Sequence, residues 1–366
     1  MSGSIFGKNF TITTWGESHG KGLGVVIDGC PSGISLTEED IQKDMDRRKP
    51  GSNAYGTKRS EGDKIHIMSG VFEGKTTGTP ISLMVFNEDQ RSRDYSQIAE
   101  CYRPGHADYT FDKKYGFRDY RGGGRSSGRE TLSRVAAGAV AKKILEELGI
   151  KVVSYTVSIG NISIDREKFD FDEISKNPLF MPDKDAAEKA SIFLNKCMSE
   201  ENSAGGIIET IVYGMPEGIG EPVFDKLDAN LGKAMFSIGA VKGVEIGSGF
   251  NASRSTGFEN NDFFEYNNGK VSKLSNNAGG ILGGMSDGSE IVIRTAFKPT
   301  PSIHKTQKTI NKNNENIDIN IKGRHDPVIV PRAVVVTEAM AAITIVDLLF
   351  ANMFSKIENI KYLYKR

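Results

Sequence analysis

Apolar and polar positions alternate with period two in several short runs and with a period near 3.6 in two long ones, so strands and helices are mixed along the chain. Ile81–Phe86 and Ile291–Phe297 read as strands, as does Lys64 to Met68, in which His66 is structural. The clearest helix begins near Ser127. Leu132, Val135, Ala136, Ala139 and Val140 make its apolar stripe, Ser127 and Glu130 a capping box, and Gly149 its stop. Ala333 to Phe354 is the longest apolar stretch; Glu338 and Asp347 interrupt it, so a buried core helix is expected rather than a membrane span. Asp165 to Asn202, charged and helix-prone, is expected as a surface excursion, and Lys305 to Asn316 as a mobile polar loop.

These elements recur. Gly29-Cys30-Pro31-Ser32-Gly33-Ile34 is echoed by Gly214-Met215-Pro216-Glu217-Gly218-Ile219, each after an apolar strand and before a helical pattern. Gly70-Val71-Phe72-Glu73-Gly74, with Gly78 and Ile81, is echoed by Gly280-Ile281-Leu282-Gly283-Gly284, with Gly288 and Ile291, and an Ala-rich helix closes each stretch. The pattern predicts an α+β fold of two related halves, roughly 1–150 and 205–354, packed into a single domain over 1–366 with a site between them.

Composition narrows the class. The 366 residues carry 47 Lys+Arg against 47 Asp+Glu, so no global field draws the chain to nucleic acid or a membrane surface. Glycine, 41 residues, is in excess, which suits tight turns and close backbone approach. Three widely spaced cysteines form neither a disulfide framework nor a metal cluster, and residues 1–10 lack the pattern of a signal peptide, so a cytoplasmic location is expected.

Charge is nonetheless local. Of 17 arginines, eight lie between residues 91 and 134 (Arg91, Arg93, Arg103, Arg118, Arg121, Arg125, Arg129, Arg134), among glycines, aromatics and His106 rather than among Lys and Glu. Guanidinium forks in that setting suit phosphate or carboxylate. Gly122-Gly123-Gly124-Arg125-Ser126 opens the Ser127 helix, where free N–H groups suit a phosphate or a flavin edge. His19, His106 and His325 each stand in a Gly/Pro turn beside a carboxylate, where an imidazole can titrate near neutrality. Gly70 to Thr76 is one residue short of a P-loop, Gly20 to Gly24 precedes a strand instead of following one, and no Cys/His spacing supports zinc. These residues alone describe an enzyme or a binding protein for a small polyanion, its reaction unnamed.

Trp15-Gly16-Glu17-Ser18-His19-Gly20, the run from Arg118 to Thr131 and Gly323-Arg324-His325-Asp326-Pro327 closely resemble the chorismate synthase family; Arg103 to Asp108 and Lys298-Pro299-Thr300 fit as well. The resemblance implies anti-1,4-elimination of phosphate from 5-enolpyruvylshikimate 3-phosphate, with reduced FMN required although there is no net redox change. It implies a sandwich of helices between antiparallel sheets and a homotetramer. It implies that His19 protonates the departing phosphate, His106 holds the protonation state of the reduced flavin, and Asp326 works with flavin N5 in removing the C6 hydrogen. Substrate anions would meet Arg48, Arg103, Arg129 and Arg324, supported by Ser18 and Ser127. FMN would contact Arg48, Arg125, Ser126, Ser127, Gly239, Ala240, Gly283, Lys298, Pro299, Thr300, Pro301, Ser302 and Arg324. An external flavin reductase is favoured as the source of reduced flavin, with NADPH as indirect reductant. Two positions depart from the family pattern: Ala54 replaces a common arginine, with Lys58 and Arg59 nearby, and Gly239 replaces the usual asparagine. A non-catalytic flavin or phosphometabolite binder is the competing reading; it needs the arginines but not His19, His106 and Asp326 together.

Overall fold

A computed structural model describes residues 3–49, 62–87, 97–267, 269–321 and 326–365. Its period-two runs are strands, with Ile81, Leu83 and Val85 turned inward in one and Ile291, Ile293, Thr295 and Phe297 in another. Along the chain, β1 (Ile5–Phe6), β2 (Thr11–Gly16) and β3 (Gly22–Asp28) lead to α1 (Glu38–Arg48) and β4 (His66–Ser69). The hairpin β5 (Val71–Phe72) and β6 (Lys75–Thr76) precedes β7 (Ile81–Phe86), α2 (Asp108–Tyr115) and α3 (Thr131–Glu147). Apart from the β5/β6 hairpin, these strands make one antiparallel sheet, in the order β1-β2-β3-β7-β4.

The next strands are β8 (Lys151–Ile159) and β9 (Ile162–Ser163), then α4 (Lys184–Ser199), β10 (Gly206–Tyr213), α5 (Leu227–Phe236) and β11 (Val241–Ile246). After α6 (Gly257–Asn260) come two hairpins, β12 (Phe264–Asn267) with β13 (Lys270–Lys273) and β14 (Ile281–Leu282) with β15 (Met285–Ser286), before β16 (Ile291–Phe297). The second antiparallel sheet has the order β11-β16-β10-β8-β9. A hairpin of β17 (Gln307–Ile310) and β18 (Asn316–Ile319), α7 (Val330–Asn352) and α8 (Ile357–Tyr364) complete the described chain.

Helix α3 packs on β2, β3 and β7, α7 packs on β8 and β10, and the two helices lie along each other. Their seam is made of small residues. A Cβ at Gly138 would come 2.2 Å from that of Ala339, so only glycine allows this approach. α7 is long and apolar enough to cross a membrane by length and composition, yet 83% of that stretch is buried within the protein. Both acids that interrupt it have partners: Glu338 meets Arg47 and Lys142, and Asp347 accepts from the amides of Lys8, Asn9 and Phe10.

Three local expectations change. Ser127 caps a single 3-10 turn, Gly128–Glu130, by accepting from the Arg129 amide at 3.2 Å; there is no capping box, because Glu130 is drawn to Arg134 (2.9 Å) and Thr14 (3.2 Å). A charge-assisted bond outweighs the reach back to an amide. Lys305 to Asn316 is ordered into the β17/β18 hairpin, because the Tyr102 amide donates to Ile310 and the Thr309 hydroxyl to the Tyr102 carbonyl. The 165–202 excursion has an inner face, with Ile174, Leu179, Ala190 and Leu194 in the core.

Candidate active site

Asn87, directly after β7, donates to the carbonyls of Glu17 (3.0 Å) and Gly20 (2.7 Å) and so fixes the loop that carries Ser18 and His19. Its Oδ1 accepts from Arg129 Nε at 2.7 Å. Arg129 Nη1 in turn donates to Asp63 Oδ1 (2.8 Å), while Arg48 Nη1 donates to Asp63 Oδ2 (3.1 Å). One buried carboxylate therefore holds two buried guanidinium groups beside the turn that starts α3. Arg48 also reaches Thr131 Oγ1 and the Gly128 carbonyl, both at 3.3 Å.

His19 sits at the edge of this cluster. Its Nδ1 is 3.1 Å from Ser18 Oγ, and its ring lies on Gly122, where a Cβ would come 2.4 Å from Cε1 and Nδ1. The Arg121 guanidinium, with a smaller contribution from His19, holds the Asp119 carboxyl below its ordinary range. Arg125 is committed to the strand end, donating to the carbonyls of Thr14 and Gly16, both at 3.1 Å. Ser126 Oγ donates to the Gly123 carbonyl at 2.7 Å.

A second arm is built from Arg103 to Asp108 and Lys298 to Ser302. Gly105 has φ +70°, and a Cβ there would meet Pro301 at 2.7 Å; Lys298 Nζ donates to the Gly105 carbonyl at 2.7 Å. His106 Nδ1 lies 3.0 Å from the Pro104 carbonyl, which can only accept, so Nδ1 carries the proton. In the neutral ring Nε2 then accepts from the Ser302 hydroxyl at 2.8 Å. Burial, reinforced by Arg103, pushes the imidazole down to about 4, so the near-neutral titration expected for this residue is not found. Arg103 itself forms two 2.8 Å bonds to Asp108, which also meets Arg118.

Asp326 stands just before α7, its Oδ2 accepting from Arg332 Nη1 at 2.6 Å, and Arg332 Nε donates to the Arg48 carbonyl at 3.2 Å. The Ala204 amide donates to the Pro327 carbonyl (2.9 Å) and Ser203 Oγ to the Thr300 carbonyl (2.7 Å), so residues 203–204 tie the Asp326 segment to the Lys298 arm. Ala240, left-handed at φ +74°, accepts from the Lys298 amide at 2.9 Å; Gly239 beside it has open space where a side chain would stand. Gly283 turns the β14/β15 hairpin next to Gly284, whose backbone approaches Glu221 and Lys226. Arg324, His325, Ala54, Lys58, Arg59, Arg91 and Arg93 lie outside the described residues.

Asp63, Asn87 and Arg332 are the polar residues that sequence reasoning missed. Each is a single residue in an unmarked context, and its partners are distant in sequence.

The chorismate synthase family profile matches residues 10–350. The chain is 63% identical to a chorismate synthase of Lachnoclostridium phytofermentans over 367 residues, covering all of both chains. It is 55% identical to one from Methanococcoides burtonii over 350 residues, 95% of this chain and 96% of the other. A crystal structure of chorismate synthase superposes with a TM-score of 0.76 at 32% identity, covering 98% of this chain and 97% of that one.

Proposed function

The chain belongs to the chorismate synthase family, lyases that require a reduced flavin, and from that premise we propose how its residues divide the work. The substrate is 5-enolpyruvylshikimate 3-phosphate, which loses phosphate by anti-1,4-elimination to give chorismate. One observation carries the assignment of the site: Arg48 and Arg129 share buried Asp63 and are tied through Asn87 to the loop bearing His19. Two buried guanidinium groups suited to anions thus belong to the network that fixes the imidazole loop.

Arg48 and Arg129, with Arg103 and Arg324, meet the phosphate and the two carboxylates, and Ser18 and Ser127 add hydrogen bonds. His19 donates a proton to the departing phosphate oxygen, which would otherwise leave as a poorer leaving group. Asp326 serves removal of the C6 hydrogen. His106, neutral with Nδ1–H on Pro104, presents Nε2 toward Ser302 and keeps positive charge away from the Lys298 arm.

For FMN, the fit is supported by Thr300 Oγ1, a buried hydroxyl with no hydrogen-bond partner among the described residues, and by open backbone at Gly124, Gly128 and Gly239. Ser126, Ser127, Gly239, Ala240 and the Lys298 to Ser302 arm would hold it, with Gly283, Arg48, Arg125 and Arg324 contributing. Arg125 would do so while its guanidinium braces β2. Held there, reduced FMN would supply an electron-rich ring for an elimination that has no net redox change.

The same reading includes an external flavin reductase, NADPH as indirect reductant, a cytoplasmic homotetramer and a sandwich of two related halves. The repeat is supported by the matching strand orders β2-β3-β7-β4 and β8-β10-β16-β11. In that match the second half begins at β8, upstream of residue 205.

The test is anaerobic incubation with reduced FMN and the enolpyruvyl phosphate. Phosphate is expected in step with chorismate; folded protein that releases none overturns the reading. NADPH oxidation by protein plus FMN alone would remove the external reductase from it.

A further inference from the structure

Arg332 stands in the first turn of α7, just after Pro331. A cation there faces the positive end of the helix dipole, so helix chemistry does not favour it. Its partners explain the position. Nη1 donates to Asp326 at 2.6 Å, and Nε donates to the Arg48 carbonyl at 3.2 Å. That carbonyl belongs to the last residue of α1, where a helix end leaves acceptors without internal partners and welcomes positive charge. The two side chains keep only 17% and 12% exposure, so the pair is shielded from water.

α7 holds the same end of α1 a second time. Glu338 accepts from both terminal nitrogens of Arg47, at 2.6 and 2.8 Å, from Lys142 at 2.8 Å and from the Ser154 amide at 3.0 Å. α1 is thus tied to α7 at two successive residues, Arg47 through Glu338 and Arg48 through Arg332.

The geometry points to Arg332 as a positioning residue that sets Asp326 and the Arg48 end of α1 in one frame. It rests on the reading that Asp326 serves C6 hydrogen removal and Arg48 meets the substrate anions. A guanidinium is planar, so the directions of Nε–H and Nη1–H are fixed relative to each other; a lysine has one centre and cannot span both acceptors. Misplacing a reacting group by about 1 Å costs about 10²-fold in rate.

The experiment measures kcat and KM for the enolpyruvyl phosphate, anaerobically with reduced FMN, together with the thermal midpoint. The proteins are the wild type, Arg332→Ala, Arg332→Lys, Asp326→Asn and the double variant Arg332→Ala/Asp326→Asn. Arg332→Ala is expected to lose about 10²-fold in kcat, and added guanidinium ion to restore part of it. Arg332→Lys should fall between Arg332→Ala and the wild type. The double variant should match Asp326→Asn in kcat while its KM rises, because Arg332 reaches the chemical step through Asp326 and substrate binding through Arg48. Wild-type kcat in Arg332→Ala, or kcat losses that multiply in the double variant, overturn the proposal and leave the role of Asp326 standing. Full turnover in Asp326→Asn overturns that role and the proposal with it. If Arg332→Ala does not fold, Arg332→Lys combined with Asp326→Asn gives the same cycle.

Discussion

A methyl group at Gly122 would stand 2.4 Å from the His19 ring, closer than any real Cβ contact. Because Gly122 belongs to the glycine loop ahead of α3, the ring rather than the helix must give way. Gly122→Ala should therefore keep its thermal midpoint and lose about 10- to 100-fold in kcat; wild-type kcat would detach His19 from the reaction. His106 gives a second residue-scale prediction. Burial, joined by Arg103, sets its folded pKa at about 4, below the ordinary 6.5, so its neutral form is the one the fold favours. That contribution is present above pH 6.5 and lost as pH falls toward 4. In thermal melts, His106→Asn should flatten that part of the pH dependence, and parallel curves for the two proteins would refute the assignment. Residues flagged by local company, such as His19 and Arg129 among glycines, were legible from the chain. Asp63 was not, since it became part of the site only by meeting Arg48 and Arg129, 15 and 66 positions away.

At the scale of elements, amphipathic periodicity announced α3, period-two runs announced β7 and β16, and sheer apolar length announced α7. The β17/β18 hairpin escaped because its order comes from edge pairing with residues 101–102, not from apolar content. The closeness of α3 to α7 also has a price visible at one position. Gly138→Val would force branched atoms against Ala339 and should cost about 2 kcal/mol, read as a lower midpoint in urea at unchanged slope. An unchanged midpoint would mean that the seam is looser than described.

Across the whole molecule, the ring of Arg47, Glu338, Lys142 and Asp44 joins α1, α3 and α7, and through the Ser154 amide it reaches β8. Helices on the first sheet are thus locked by charge to a strand of the second. Burial alone would raise the Glu338 carboxyl, but Lys142 and then Arg47 more than offset it and hold the group at about 2. Its folded pKa lies below the ordinary carboxylate value, so the stabilisation is present above that value and lost as pH falls toward 2. Glu338→Gln leaves two cations facing a neutral amide and should cost on the order of 3 kcal/mol at pH 7. The coupling predicts more than a loss. Trp15, the single tryptophan, lies on β2 and reports the first sheet, whereas circular dichroism reports all helices and strands. In the wild type, fluorescence and circular dichroism should give coincident urea transitions, because neither sheet can release α3 and α7 without breaking the shared ring and seam. In Glu338→Gln both midpoints should move together, with the acid dependence between the ordinary carboxylate range and pH 2 reduced. Separate wild-type midpoints would mean that the two sheets unfold independently and that the ring does not couple them.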